Sequence, residues 1–204
     1  MRDIIDKLKY EKELINQGIK MIAGADEVGR GPLAGPVVCA AVIMPLDDII
    51  DGVDDSKKLS EKKREIIYEK IMEKALAVSI EFVDEKVIDE INILQATKKC
   101  MANAINNLKI RPDIVLVDAL DGLNINVPEK AIIKGDAQSY SIGAASIVAK
   151  VTRDRFMVEM DKKYPEYGFA KHKGYGTAVH INALKEYGAA PIHRKTFIKF
   201  LQEK

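Results

Sequence analysis

Apolar residues in this chain come in short runs separated by polar or glycine-rich breaks, and the spacing within each run predicts its conformation. Ile4, Ile5, Leu8 and Ile15 stand near helical spacing and predict a first helix over about 4–16, with Gly18 closing it. Segment 21–44 holds two extended apolar runs joined by a glycine- and proline-rich turn, the pattern of an antiparallel strand pair. A polar stretch follows over 47–58. Ser60 then caps a helix running to about Leu76, with Glu61 in its first turn. Val78 to Val83 alternates as a strand does, and helices are expected at about 85–91 and 93–108, ending near Arg111-Pro112. Beyond them lie a strand over 114–118, a loop through Asp121-Gly122, a strand over 131–134 and a long helix from about Ser139 to Lys162. Tyr164-Pro165 ends that helix. A glycine- and tyrosine-rich loop over 167–176 leads to a helix over 177–187 and a last short helix over 194–202. Strands and helices in this order predict an α/β fold, a mixed sheet flanked by helices. With no internal repeat or linker, residues 1–204 read as a single domain whose part from about 164 to 204 is helical.

Composition narrows the class. Hydrophobic residues make up 47% of the chain, enough for an ordinary core. The formal net charge is only +1, so any basic surface for nucleic acid must be local. Cys39 and Cys100 lie in apolar segments and read as buried thiols of a reducing compartment; without a CxxC or Cys/His cluster, a structural zinc site is not expected. The N-terminal residues are charged, and no apolar run approaches the roughly 20 residues that span a bilayer, so a soluble, cytoplasmic protein is expected.

Against this background the carboxylates stand out. The run Met21-Ile22-Ala23-Gly24-Ala25 leads straight into Asp26-Glu27, strand 114–117 ends on Asp118, and strand 131–134 leads through Gly135 to Asp136. A buried carboxylate costs several kcal/mol unless a counter-charge compensates it. Several at strand ends therefore suggest a cation, and oxygen-only ligation suggests a hard one such as magnesium or manganese. Adjacent side chains of a regular strand point to opposite faces, so Asp26 and Glu27 enter one pocket only if the strand ends or bulges there; Gly29 and Gly31 permit that. Asp118 shares a face with Ile114 and Leu116. Asp136 reads equally well as a helix cap, though Ser139 is available for that role.

Other signals stay open between a functional and an ordinary reading. The Gly29-Arg30-Gly31 loop is either a tight turn or a close approach to a sugar-phosphate; it is not a P-loop, because no Gly-Lys-Ser/Thr follows. Tyr175 is either a packing residue or a stacking platform between basic neighbours. Lys57, Lys58, Lys62, Lys63, Arg64, Lys150, Arg153, Lys171 and Lys173 read as solvated charges, except that the loop holding Ser56, Lys57 and Lys58 precedes a helix start suited to an anion. His172, His180 and His193 are scattered, with surface or structural roles expected.

Taken together, the motifs resemble the ribonuclease HII family. The pieces are the run Asp26-Glu27-Val28-Gly29-Arg30-Gly31-Pro32-Leu33-Ala34-Gly35-Pro36-Val37, then Asp55-Ser56-Lys57-Lys58-Leu59, Val117-Asp118, Gly135-Asp136-Ala137, the stretch from Ala144 to Asp154, and His172-Lys173-Gly174-Tyr175-Gly176-Thr177. They follow the family's order over about residues 21 to 190. The resemblance implies a ribonuclease H-like five-stranded mixed sheet with a helical C-terminal extension. It implies an endonuclease that hydrolyses the RNA strand of RNA–DNA hybrids and cuts at single ribonucleotides in duplex DNA, leaving 5′-phosphate and 3′-hydroxyl ends. By the same resemblance, Asp26, Glu27, Asp118 and Asp136 are the catalytic carboxylates holding two divalent cations, Mg2+ or Mn2+. Gly29, Arg30 and Gly31 would sense the ribose 2′-hydroxyl, Tyr175 would pack at the RNA–DNA junction, and Ser56 and Lys57 would contact phosphate. A monomer is expected. The segment Thr196-Phe197-Ile198-Lys199-Phe200-Leu201 faintly resembles a sliding-clamp peptide, but ordinary packing is the preferred reading. Many members place glycine directly after the aspartate that corresponds to Asp118, where this chain has Ala119. The rival readings are a resolvase-like nuclease of the same fold, a non-catalytic nucleic-acid-binding protein and a magnesium-dependent phosphohydrolase of small molecules.

Overall fold

The computed structural model describes residues 7–54 and 56–201. Helix α1 (Lys9–Asn16) is followed by strands β1 (Ile22–Val28) and β2 (Val37–Ile43), helix α2 (Glu61–Lys74) and strand β3 (Ala77–Val83). Then come helix α3 (Glu85–Asn106), strands β4 (Ile114–Asp118) and β5 (Glu129–Ile132), the one-turn helix α4 (Gly135–Gln138) and the long helix α5 (Tyr140–Lys163). The chain ends with α6 (Phe169–His172), α7 (Ala178–Tyr187) and two short 3-10 turns, Pro165–Tyr167 and Lys199–Leu201.

The sheet order is β3-β2-β1-β4-β5, with β1 antiparallel to β2, β2 antiparallel to β3, and β1, β4 and β5 parallel. This is the expected five-stranded mixed sheet. Each face of the sheet is covered, which is why β2 is apolar throughout rather than alternating. Ala23, Ala25, Cys39, Val115 and Val117 face α3 across one core. On the other face, Ala40 and Val42 pack with α5 residues such as Ala144 and Val148, and Ile22, Leu116 and Ile142 meet beside them. Gly24 is what lets α5 lie so close to β1, since a Cβ there would sit 2.1 Å from the backbone of Ser141. A third cluster, around Met157, Tyr167 and Phe169, joins the end of α5 to α7 and the C-terminal segment.

Ser60 and Ser139 cap their helices as expected, and Asp84 and Thr177, which the sequence reading did not single out, likewise accept a backbone N–H at their helix starts. The two expected helices over 85–108 meet at Asn92, whose φ of 66° breaks the helical path inside α3. Two expectations shift. The strand placed at 131–134 is β5 at Glu129–Ile132, because Lys134 turns left-handed at φ 55° and Ile133 is 77% exposed. The short helix over 194–202 reduces to the 3-10 turn Lys199–Leu201; residue 202 lies outside the described residues, as do residues 4–6 of the expected first helix. Both cysteines are free and buried as expected. No helix among the described residues is long and apolar enough to cross a membrane.

Candidate active site

The parallel pairing of β1 with β4 sets the site. Ala25 lies beside Val117, so the next residues, Asp26 and Asp118, emerge together where both strands end. Even-numbered positions of both strands point toward α5, which places the two aspartates on the same face as Leu116. The turn after β5 brings α4 over this point. Gly135 N–H donates to Asp118 Oδ1 at 2.6 Å, and Asp136 follows in the first turn. Oxygens of Asp26, Asp118 and Asp136 lie within 4.8 Å of one another.

Asp26 is buried, and that burial, reinforced by the charges of Glu27 and Asp118, pushes its carboxyl well above the usual range. The Ser146 hydroxyl and the Glu27 N–H, which donates to Asp26 Oδ1 at 2.8 Å, offset this in part. Glu27 remains within regular strand, because β1 runs on to Val28 without a bulge at this point. Its side chain belongs to the opposite face and is absent from the three-aspartate cluster, although burial and Asp118 still push its carboxyl upward while Arg30 draws it down. Glu27 Oε1 accepts from Arg30 Nη1 at 3.5 Å, and Oε2 is buried with no partner among the described residues. No Lys or Arg pairs with Asp26 or Asp118 among the described residues. An oxygen-only cluster in which neither Asp26 nor Asp118 pairs with a Lys or Arg among the described residues fits hard divalent cations.

Beside the carboxylates, Gly29 turns at φ 94°, a conformation open to glycine, and an added Cβ would lie 2.3 Å from Arg153 Nε. Arg30 and Gly31 are exposed, and the Gly31 Cβ position is 3.7 Å from the Tyr175 ring, so the loop and the tyrosine border one another. Tyr175 is 43% exposed. Ser56 is buried: its hydroxyl is hydrogen-bonded to Ser146 Oγ at 2.9 Å, which ties it to the hydroxyl that offsets the Asp26 shift. Lys57 is exposed. Asp55 lies outside the described residues.

Several charges expected in solvent are structural instead. Arg153 is fully buried and donates to the carbonyls of Ala34, Pro36 and Lys173, and burial lowers its pKa to about 10. Arg64 donates to the carbonyls of Ser56 and Leu59 and pairs with Asp154 at 3.4 Å. The histidines, scattered in sequence, converge: His172 stacks on His180 at 4.6 Å between ring centres, and His180 Nε2 meets His193 Nε2 at 2.9 Å. All three are buried, so the surface half of that expectation fails, because α7 folds back so that His180 stacks on His172 of α6. Sequence reasoning gave Arg194 no role. Nothing in local periodicity marks it, yet it is fully buried against the Gly29–Gly35 loop.

A sequence profile of Ribonuclease HII matches residues 23–200. The Ribonuclease HII of Acetivibrio thermocellus is 62% identical over 190 residues, covering 93% of this chain and 74% of that protein. This chain belongs to the ribonuclease HII family. Among solved structures, ribonuclease H2 from Pyrococcus horikoshii OT3 superposes with a TM-score of 0.76 at 29% identity, over 91% of this chain and all of that one. The RNase HII of Archaeoglobus fulgidus, solved in a complex with PCNA, gives 0.74 at 30% identity over 86% and 94%. As a ribonuclease HII, the protein is a metal-dependent ribonuclease H, an endonuclease acting on phosphodiester bonds.

Proposed function

We propose that this enzyme hydrolyses the RNA strand of RNA–DNA hybrids and also cuts 5′ of a single ribonucleotide embedded in duplex DNA. The observation that carries this reading is the closeness of a three-aspartate cluster to a glycine-arginine-glycine loop whose Arg30 and Gly31 are exposed and which Tyr175 borders. Asp26, Asp118 and Asp136 are the carboxylates that would hold two divalent cations, Mg2+ or Mn2+, with Glu27, on the opposite face near the end of β1, as a fourth, peripheral carboxylate. Bound there, such cations acidify a water and neutralise charge on the departing oxygen.

The residues of the chain do the rest. Gly29, Arg30 and Gly31 bring backbone close to the sugar, and no side chain at 29 or 31 stands in the way. The 2′-hydroxyl is the chemical handle that separates RNA from DNA at one sugar. Tyr175 offers an exposed ring for stacking at the junction. Lys57 supplies an exposed cation for the phosphate backbone, and Ser56, buried under it, steadies Ser146 beside Asp26. Water adds to phosphorus, the bond to the 3′-oxygen breaks, and that oxygen leaves with a proton as a 3′-hydroxyl facing a 5′-phosphate. The protein works as a monomeric single domain in the cytoplasm. Residues 196–201 serve chiefly as packing, since Ile198 is buried and Phe197 lies against the main core. The clamp complex of the Archaeoglobus relative, together with the exposed Phe200, supports clamp binding as a secondary role.

The test is duplex DNA with one ribonucleotide, incubated with and without Mg2+ or Mn2+. A single metal-dependent cut 5′ of the ribonucleotide is expected, with a 3′-hydroxyl end and no cut in the all-DNA duplex. Equal cutting of the all-DNA duplex would point to a resolvase-like nuclease instead.

A further inference from the structure

Arg194 is fully buried, and among the described residues no carboxylate pairs with it. Its guanidinium makes four hydrogen bonds, all to carbonyls of one loop. Nε and Nη2 donate to Gly35 O at 2.9 and 2.8 Å, Nη2 to Gly29 O at 2.5 Å, and Nη1 to Arg30 O at 2.9 Å. A buried guanidinium is costly unless its donors are met. Here the loop meets them, so the dependence is mutual. Burial, with the nearby Arg153 charge, lowers the Arg194 pKa to about 9, which leaves the side chain charged at neutral pH.

The peptide group is planar and trans, so C=O and the N–H of the following residue point in opposite directions. With the Gly29 and Arg30 carbonyls turned inward onto Arg194, the N–H groups of Arg30 and Gly31 must point away from it. Neither donates to a protein acceptor among the described residues, and both residues are exposed. Two neighbouring donors thus turn outward from Arg194, on a loop that follows the Asp26-Glu27 end of β1 and borders Tyr175. The backbone holding Arg194 is fixed too: Arg194 N–H donates to Leu33 O at 2.9 Å, and His193 pairs with Ala34. His193 also contacts His180, whose Nδ1 meets Tyr175 O at 2.9 Å. Residues 193 and 194 therefore brace both the loop and the tyrosine.

We propose that Arg194 is a positioning residue for ribonucleotide selectivity: it holds two consecutive peptide planes carbonyl-inward and so aims the Arg30 and Gly31 N–H groups at the sugar beside the scissile phosphate. The proposal rests on the reading of this loop as the ribose sensor. Loss of the fork frees both planes to rotate, and misplacement of about 1 Å at such a site costs on the order of 10²-fold in rate.

The experiment uses the intact enzyme, duplex DNA with one ribonucleotide, and the variants Arg194→Lys and Arg194→Ala. Arg194→Lys keeps the charge but loses the planar fork. It is expected to lower kcat by about 10²-fold with KM little changed, because contacts along the rest of the duplex persist. Arg194→Ala should fall as far and recover when millimolar guanidinium ion, but not ammonium ion, fills the vacated space. Wild-type kcat in Arg194→Lys, a loss in Arg194→Ala without guanidinium rescue, or melting of both variants below the assay temperature would each overturn the positioning role. If native enzyme itself ignores the ribonucleotide, the failure lies with the reading of the loop, not with Arg194.

Discussion

Two neighbouring parts of this molecule bury like charges at close range, and they resolve the conflict in opposite ways. At the ends of β1 and β4, carboxylates crowd together with, among the described residues, no cation paired to Asp26 or Asp118 and no partner for a buried Glu27 oxygen. Behind the Gly29–Gly35 loop, Arg153 and Arg194 are both fully buried, yet each spends its donors on backbone carbonyls. A guanidinium can be satisfied by carbonyls that the fold already possesses, whereas clustered carboxylates need donors or cations from elsewhere. The first arrangement asks for a ligand and the second completes a scaffold. This is the physical difference between a site and its support.

The strongest way to break the comparison is Asp26→Asn. Cleavage should fall by at least about 10²-fold, since even loss of an outer partner of a metal ligand costs that much. Without divalent metal the variant should melt higher than the native protein, because a buried like charge is gone. Added Mg2+ or Mn2+ should raise the native melting temperature and leave that of the variant much less changed. Native-level cleavage, or a lower metal-free melting temperature, would remove Asp26 from the centre.

Acid sharpens the contrast on the scaffold side. Burial holds the His193 pKa down to about 4, and His180 is lowered for the same reason. The fold keeps His193 neutral, so its stabilising effect is intact above about pH 6.5 and is lost as pH falls from there to 4. For His193 alone the loss is about 3 kcal/mol. Urea unfolding followed against pH should show this slope, and His193→Asn should flatten it. An unchanged slope in the variant would place the acid sensitivity elsewhere.

Smaller changes probe how the acidic site is supported. Ser139 caps α5 and its hydroxyl donates to the buried Glu11 at 2.6 Å, so Ser139→Ala should cost about 1–2 kcal/mol in denaturant unfolding. Ala119, directly after Asp118, is held at φ 47°, where an alanine is strained. Ala119→Gly should relieve that strain for a net gain of at most about 1 kcal/mol, the gain being reduced by the freer unfolded chain. A loss of stability would show that the alanine methyl packs usefully there.

Much of this was legible along the chain. Alternation and helical spacing located most of the elements, and Ser60 and Ser139 marked helix starts, because these signals arise within a few residues. Acidic residues at the ends of apolar strands exposed the site, since an unpaired charge beside a core is costly whatever the topology. Only the tertiary structure chose between cap and cluster for Asp136, left Glu27 on the other face of β1, and gathered three distant histidines into one stack. It alone turned Arg153 and Arg194 from presumed surface or unnoticed residues into the buried braces of the loop. Local patterns record which groups are polar, but whether a polar group meets solvent, metal or a carbonyl depends on segments far away in sequence. Gly29 and Arg194 are such a pair, joined only when the C-terminal segment folds back over the end of β1.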